Sequence, residues 1–184
     1  GGAGVDLITL HSSDDTVIFL DATADVITGY SASDLITVAD AGLAVANGST
    51  DGTLVVVSLA DAATAGSAND TVLNLTQALD AAAGTAIDTY QATPSTGNLS
   101  AMIAAIVAST ATGEAFDGGL HANLDDAGDI AIFTVHSSND TVAFLYTAGA
   151  GSGTANTTLE APEVTIIGVF DSATTVTQAD FTII

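Results

Sequence analysis

The chain has 184 residues, no Lys or Arg, 22 Asp and Glu residues, and a formal net charge of -22 at pH 7. Without cations it offers nothing to neutralise phosphates, which argues against nucleic-acid binding, attraction to anionic membranes and a P-loop. A hydrophobic content of 48% argues against disorder, and the absence of Cys excludes disulfides and thiol chemistry.

The first nine residues, GGAGVDLIT, match the pattern G-G-x-G-x-D-x-U-x, in which U is a large apolar residue. This nonapeptide is the calcium-binding repeat of parallel β-rolls. Gly1, Gly2 and Gly4 permit a tight turn, and Asp6 offers a carboxylate to a hard cation. The sequence therefore predicts a turn that can bind Ca²⁺, followed by a strand whose Ile8 points into the roll.

Three further aspartates continue this spacing. Asp15, Asp25 and Asp34 follow Asp6 at intervals of 9, 10 and 9 residues, each before a short apolar run. Because two nonapeptides make one turn of a β-roll, we expect Asp6 to stack on Asp25 and Asp15 to stack on Asp34. The alternative is that these aspartates, together with Asp14, bind no metal and only mark turns, where Asp is common.

The middle of the chain mixes strand and helix signals. Residues 39–74 predict short strands separated by turns. Apolar residues at helical spacing predict one helix near 75–83, ending at a glycine, and a clearer one near 98–110. Asn98 or Ser100 is the expected N-cap of the second helix.

The C-terminal part returns to strand patterns. The phrase HSSDDTVIFL at 11–20 recurs as HSSNDTVAFL at 136–145, in each case a polar turn followed by a β-branched run. The second copy predicts the turn of a hairpin. Two final strands are expected in EVTIIGVF and TVTQADFTII.

Other polar residues give weaker signals. Zinc could bind histidine, but His11 and His136 hold equivalent places just before a turn, which favours a structural role. No G-x-S-x-G elbow and no motif for a catalytic nucleophile is present, so we expect no enzyme. A second acidic group is also a candidate calcium site and consists of Asp125, Asp126, Asp129 and Asp140. The alternative is that these residues mark turns that bind no metal.

Three parts of the sequence share a pattern with a known family. They are the opening nonapeptide, DTVIFLDATADVITGYSASDLITV at 15–38, and the C-terminal segments GDIAIFTVHSSNDTVAFLY, TIIGV and TQADFTII. With these segments the chain resembles the C-terminal regions of RTX-type proteins exported by type I secretion, which include S-layer proteins and large adhesins. The resemblance implies Ca²⁺ at Asp6 and its stacked partners, and an export signal in the C-terminal strands. One intact repeat stands here where the family has a long array.

We therefore expect a mainly β fold, in which a short degenerate calcium β-roll at 1–38 merges with a β-sandwich-like domain at 39–184 that carries two short helices. The expected function is that of a secreted structural protein, a calcium-stabilised subunit that assembles with itself into a surface layer, filament or matrix fibre. The alternative is a calcium-dependent adhesin or carbohydrate-binding module for cell-surface glycan, which the presence of 3 Tyr and no Trp weakens. A secreted hydrolase is a third class. Neither nucleic-acid binding nor insertion into a membrane is expected.

Overall fold

The computed structural model describes residues 3–38, 55–56, 71–111, 130–147, 159–173, 176 and 180–183. These residues form ten strands, two α-helices and a 3₁₀ helix at Ala161–Glu163. The helices are α1 (Ala81–Ala92) and α2 (Thr96–Ala111). The strands are β1 (Leu7–Thr9), β2 (Thr16–Phe19), β3 (Asp25–Thr28), β4 (Leu35–Val38), β5 (Val55–Val56), β6 (Thr71–Ala78), β7 (Ile130–His136), β8 (Thr141–Thr147), β9 (Val164–Asp171) and β10 (Phe181–Ile183). The predicted β-rich fold with two helices is confirmed.

The strands form a large sheet of seven strands and a small sheet of three. The order is β1-β3-β9-β8-β7-β6-β5 in the large sheet and β10-β4-β2 in the small sheet. The large sheet joins β3 to β9, and the small sheet joins β4 to β10. The strands β1 to β4 therefore share the two sheets with strands from the C-terminal part of the chain.

Six of these strands form three successive layers that we call rungs, each made of one strand of the large sheet and one strand of the small sheet. The first rung is β1 and β2, the second is β3 and β4, and the third is β9 and β10. In the large sheet Leu7 lies opposite Val26, and in the small sheet Thr16 lies opposite Leu35. Both pairings are parallel, and both join residues that are 19 positions apart. One rung therefore corresponds to two of the nine- or ten-residue intervals between aspartates.

The third rung comes from the C-terminal part of the chain. Gly168 of β9 lies opposite Asp25, and Phe181 of β10 lies opposite Ile36, again in parallel. This rung continues the stack that the first 38 residues begin.

A hydrophobic core fills the space between the two sheets. Successive residues of a strand point to opposite faces, so Val17 and Phe19 of β2 are buried in this core while Ile18 between them is 44% exposed. Three aromatic rings meet at its centre. Phe170 makes edge contacts with Phe19 at 6.2 Å and with Tyr30 at 5.4 Å between ring centroids.

The opposite face of the large sheet is covered by α1 and α2. The parallel strands β6 and β7 need a crossover connection, and these helices lie within it. Ala83, Ile87 and Tyr90 form the buried stripe of α1, at the i, i+4 and i+7 positions of one helix face. The fold thus has three layers: small sheet, large sheet and helices.

Within the described residues, neither helix is long and apolar enough to cross a membrane.

The first helix lies later in the chain than predicted, so the prediction of a helix near 75–83 is wrong. Most of that segment belongs to β6, which pairs with β7. Asp80 sets the start of α1, because its side chain accepts a hydrogen bond of 2.8 Å from the N–H of Ala83. Gly84, the expected end, lies inside α1, where an added Cβ would be 3.6 Å from Cβ of Ser137.

The second helix is confirmed, since α2 contains the predicted range 98–110. Its predicted N-caps are wrong. Ser95 accepts a hydrogen bond of 3.2 Å from the N–H of Asn98, and the side chain of Asn98 donates to the carbonyl of Thr93. Ser95 rather than Asn98 or Ser100 therefore satisfies the first turn.

The two copies of the repeated phrase make different connections. The second copy forms the predicted hairpin turn between β7 and β8, which pair in antiparallel fashion. The first copy carries the chain from β1 in the large sheet to β2 in the small sheet. In both copies an aspartate, Asp15 or Asp140, comes immediately before a strand.

A bulge lies where β9 passes from the hairpin to the rungs. The register of β8 against β9 shifts between Ala143 and Phe144, which leaves Ile167 as an extra residue in β9. The next residue, Gly168, packs beneath the ring of Phe19, where an added Cβ would lie 2.7 Å from Cζ. The absence of a side chain at this position makes room in the core between the two sheets for the ring of Phe19, which belongs to the first rung.

Gly29, in the turn after β3, tests how tightly the first two rungs are joined. It has a φ of +78°, and an added Cβ would lie 2.6 Å from the carbonyl oxygen of Leu10. We expect Gly29→Ala to lower the free energy of unfolding by roughly 1–3 kcal/mol. The matched control is Gly97→Ala in the first turn of α2, where an added Cβ meets nothing within 4 Å. This variant should gain up to about 1 kcal/mol, and equal losses in urea unfolding of both variants would contradict the expectation.

Candidate functional site

The aspartates of the first two rungs stack as their spacing predicts. At the start of β1 and β3, the N–H of Asp6 donates a hydrogen bond of 2.8 Å to Oδ1 of Asp25. In return, the N–H of Val26 donates to the carbonyl of Asp6 at 2.9 Å. Oγ1 of Thr23 lies 3.2 Å from the same carboxylate oxygen, and Asp25 is 3% exposed. The buried carboxylate of the second rung thus holds the backbone of the first.

The same arrangement recurs at the start of β2 and β4. The N–H of Asp15 donates to Oδ1 of Asp34 at 2.9 Å, and the N–H of Leu35 donates to the carbonyl of Asp15 at 2.8 Å. Asp34 has more donors than its counterpart. The N–H and the hydroxyl of Ser31 both donate to Oδ2, at 2.7 and 3.0 Å. Both carboxylate oxygens of Asp34 are therefore engaged.

These two buried carboxylates differ in their titration. Burial raises the pKa of Asp25, and the nearby Asp6 carboxylate adds to this effect, while the hydrogen bonds from Asp6 and Thr23 oppose it. Burial acts in the same direction on Asp34, but the hydrogen bonds from Asp15 and Ser31 outweigh it and hold the pKa of Asp34 below its ordinary value. Asp34, which accepts more hydrogen bonds than Asp25, is the one of the two whose pKa is lowered.

The carboxylates of the first rung are more accessible than those of the second. Asp14 is exposed, and Asp6 and Asp15 are half-buried. Oδ2 of Asp15 accepts a hydrogen bond of 2.8 Å from the N–H of His11, which closes the turn of the repeated phrase. Negative charge that water or cations can reach is thus concentrated in this turn.

Asp140, in the second copy of the phrase, joins three parts of the fold. Its Oδ2 accepts from the hydroxyl of Ser137 at 3.0 Å. Its Oδ1 accepts from the N–H of Ser172, after β9, at 3.1 Å and from the side chain of Gln91, in α1, at 3.2 Å. Because Asp140 is 3% exposed, these donors take the place of water.

The residues that the structure describes do not complete a calcium site by themselves. Ca²⁺ takes six to eight oxygen ligands, whereas within the described ranges no group of three or more His, Cys, Asp or Glu side chains is placed to hold a metal ion. In each stacked pair of aspartates, the carboxylate of one residue accepts a hydrogen bond from the backbone N–H of the other. The carboxylates of Asp34 and Asp140 face N–H and O–H donors of the protein. For Asp34 these donors favour the charged form without a cation.

The remaining predicted calcium residues divide into two groups. Gly4 has a φ of +112°, a conformation that glycine adopts readily and that suits the predicted turn. Four others lie outside the described residues: Gly2, Asp125, Asp126 and Asp129.

His136 has a hydrogen-bonding role. Its Nδ1 lies 2.8 Å from the hydroxyl oxygen of Thr141, and that hydroxyl donates to the carbonyl of Ala173. Because the hydroxyl proton is used in this way, Nδ1 is the donor of the first bond. Burial lowers the pKa of His136, which keeps the ring neutral. His121 lies outside the described residues.

Sequence reasoning missed two contacts of the helices, one that ties α1 to the second rung and one that joins α1 to α2. The hydroxyl of Tyr90 donates a buried hydrogen bond of 2.7 Å to the carbonyl of Ala24, just before β3. The N–H of Asp80 donates to Oγ of Ser109 at 2.8 Å, which joins the start of α1 to the end of α2. The Asp-Ala-Ala-Ala pattern at 80–83 was the available signal for the cap, whereas nothing in the sequence pairs Tyr90 with Ala24.

A polar cavity of about 290 Å³ lies between the start of α1 and the β7–β8 turn. Its lining includes the side chains of Asp80, Asp88, Asn139 and Asp140, and no aromatic residue of the described chain. The cavity can accept hydrogen bonds from hydroxyl groups but offers no ring for stacking.

Comparison with known proteins found no match to this chain among protein families, curated proteins or solved structures.

Substitution of the two buried aspartates, Asp34 and Asp25, by Asn is expected to change the free energy of unfolding in opposite directions. In Asp34→Asn the side-chain NH₂ would face the donors of Ser31, so we expect a loss of roughly 1–3 kcal/mol at pH 7. The charged Asp34 stabilises the fold above the ordinary pKa of 3.8, and this contribution is lost as pH falls through its lower folded pKa. The difference between wild type and Asp34→Asn should therefore shrink in acid.

Asp25→Asn is the matched comparison. One oxygen of Asp25 accepts hydrogen bonds from the described residues, and the amide oxygen can replace it. Because the folded pKa of Asp25 is raised, its charge opposes folding at neutral pH, and this effect disappears as pH falls through that pKa. We expect Asp25→Asn to be as stable as wild type or more stable at pH 7, measured by urea unfolding from pH 3 to 7. A larger loss in Asp25→Asn than in Asp34→Asn would contradict the assignment.

Proposed function

We propose that this chain is an extracellular structural protein, a calcium-stabilised subunit of a self-assembling surface layer, filament or matrix fibre. The observation that carries this proposal is the stack of rungs, with its 19-residue offset and an aspartate at the start of each strand of the first two. We interpret the first two rungs as a short β-roll that merges with a sandwich-like unit. Stacked folds of this kind grow by adding strands at their edges, which suits a subunit of an assembly.

The charge of the chain explains why such an assembly would need cations. Subunits with a net charge of -22 repel one another, and the chain has no Lys or Arg with which to form ion pairs across a contact. Repulsion is also present within the subunit, since the Asp6 carboxylate adds to burial, the larger cause, in raising the pKa of Asp25. We assign to Ca²⁺ the role of countercharge at the accessible carboxylates of the first rung, Asp6, Asp14 and Asp15.

A secreted adhesin or carbohydrate-binding module is the second candidate. The polar cavity beside α1 favours it, because Asp80, Asp88 and Asn139 could accept hydrogen bonds from sugar hydroxyls. Saturable binding of a glycan by a monomer, abolished by Asp88→Ala, would support this candidate over the structural one. We assign no catalytic role to the chain.

Calcium dependence tests the first proposal. We expect added Ca²⁺ to raise the midpoint of thermal unfolding and the sedimentation coefficient, and EGTA to reverse both changes. A cation that binds the folded state adds about 2.7 kcal/mol of stability at 100 times its dissociation constant. NaCl at matched ionic strength is the control for screening, which acts on all exposed charges.

The outcomes separate the two parts of the proposal. A large species that survives EGTA would support assembly and contradict the role of Ca²⁺. A monomer of unchanged stability in Ca²⁺, EGTA and NaCl would contradict both.

A further inference from the structure

The asparagines of this chain follow one sequence pattern far more often than composition explains. Six of the seven have Ser or Thr two positions later, with a residue other than Pro between. These six are Asn47, Asn69, Asn74, Asn98, Asn139 and Asn156. Ser and Thr make up 41 of the 184 residues, so about one or two of seven asparagines would meet the pattern by chance. The pattern N-x-[ST] is the acceptor sequence, or sequon, for attachment of a glycan to asparagine.

The aspartates of the same chain show that turn chemistry does not produce this excess. Asp and Asn share a preference for turns, so a turn preference alone would place Ser or Thr two positions after both residue types. Four of the 19 aspartates have Ser or Thr at that position, which is the frequency that composition predicts. The excess is therefore specific to asparagine, the one of the two residues whose side chain can carry a glycan.

The structure places the sequon Asn139-Asp140-Thr141 at the β7–β8 turn. The first and last residues of the turn hold its backbone: the N–H of Ser137 donates to the carbonyl of Asp140 at 2.8 Å, and the N–H of Asp140 donates to Oγ of Ser137 at 2.9 Å. Asn139 is exposed between them. Asp14 holds the equivalent place in the first copy of the phrase, so a turn with this sequence does not require an amide there.

Asn98 is the other sequon asparagine whose side chain the structure describes, and its setting differs. It is half-buried in the first turn of α2, and its Nδ2 donates to the carbonyl of Thr93 at 2.7 Å. A glycan on this nitrogen would compete with the contacts that begin the helix. Of the two described sequons, that of Asn139 is the one at which the folded chain can carry a bulky group on its surface.

We propose that Asn139 is an N-glycosylation site. In the reaction Nδ2 of Asn139 forms a bond to C1 of the first sugar, and the bond between that carbon and a phosphate oxygen of a lipid-linked oligosaccharide donor breaks. The lipid phosphate leaves with the electron pair of the broken bond and can take the proton that Nδ2 gives up. The inference goes beyond the proposed function, because it requires export but neither Ca²⁺ nor self-assembly.

The burial of Thr141 determines when the glycan can be attached. The transferring enzyme recognises the hydroxyl residue of the sequon as well as its asparagine. Thr141 is 0% exposed, its hydroxyl donates to the carbonyl of Ala173, and the same oxygen lies 2.8 Å from Nδ1 of His136. The enzyme can therefore reach this hydroxyl only before β8 pairs with β7 and β9, so attachment has to precede folding of the sheet.

The polar cavity beside α1 gives the first sugar a place in the folded chain. Asn139 lines this cavity together with Asp80 and Asp88. A sugar bonded to Nδ2 of Asn139 starts at the cavity wall, where its hydroxyls can donate to carboxylate oxygens. The groups that favour a carbohydrate-binding module would then contact a sugar of the chain itself.

Mass spectrometry of the chain isolated from the cells that make it tests the site. Trypsin has no cleavage site in this chain, but chymotrypsin can cut after Phe133 and Phe144 and release residues 134–144, in which Asn139 is the single asparagine. We expect this peptide to carry an added mass equal to a sum of sugar residues, which fragmentation assigns to Asn139 and which Asn139→Gln removes. The control is the peptide that contains Asn123, the asparagine outside a sequon, which should carry none.

The variant Asp14→Asn tests the order of attachment and folding. It converts DDTV at 14–17 into the sequence found at 139–142, but here the hydroxyl residue, Thr16, is exposed. The folded variant, made without glycan and checked by circular dichroism, is incubated with an oligosaccharyltransferase and a lipid-linked oligosaccharide. We expect position 14 to be modified at least tenfold faster than Asn139. When enzyme and donor are present during cell-free synthesis, we expect both positions to be modified.

The outcomes separate this inference from the proposed function. An unmodified peptide 134–144 from the native chain would overturn the site, whatever the other sequons carry. Equal rates at position 14 and at Asn139 in the folded variant would overturn the order. Neither result bears on Ca²⁺ or self-assembly, whereas a native chain that carries a glycan at Asn139 and stays monomeric with and without Ca²⁺ would keep the site and contradict the proposed function.

Discussion

The hydrogen bond from a backbone N–H to the carboxylate of an aspartate in the next rung is the interaction on which the stack depends. In a chain without Lys or Arg no side chain can offer a buried carboxylate a permanent positive charge, so the main chain supplies the donor. Asp25 and Asp34 each accept such a bond at the start of a strand, one in each sheet. The same carboxylate therefore fixes the turn, the register and the length of a rung. A charge that would destabilise an apolar interior here stabilises the contact between two rungs.

A related use of aspartate joins the stack to the rest of the fold. Asp140 gathers a hydroxyl from its own turn, a backbone N–H from the end of β9 and an amide from α1. Tyr90 reaches from α1 to the carbonyl that precedes β3. Through these contacts the helices are tied to both the second and the third rung. The three layers thus share polar contacts as well as two hydrophobic cores, which explains why an acidic sequence with few aromatic residues forms a defined interior.

The parts of the fold that could be predicted from sequence are those in which local pattern and tertiary role coincide. The spacing of the aspartates predicts which residues stack, and the polar phrase at 136–140 predicts a hairpin turn. The helix near 75–83 was misplaced because apolar residues at helical spacing also suit a buried strand, and pairing with β7 decides between them. The third rung has no signal in the spacing, since it depends on pairing between residues near opposite ends of the chain. The roles of Asp140 and Tyr90 escape prediction for the same reason.

The origin of the third rung also sets the order in which the molecule can form. Phe181 pairs with Ile36, a residue 145 positions earlier in the chain. At a synthesis rate of 5–20 residues per second, roughly 7–30 seconds pass between the synthesis of β4 and the synthesis of β10. Local elements such as the hairpin and the helices can fold during this interval, but the small sheet cannot close. The late-made strand β10 therefore completes the sheet that β2 and β4 begin, and translation itself delays the native state.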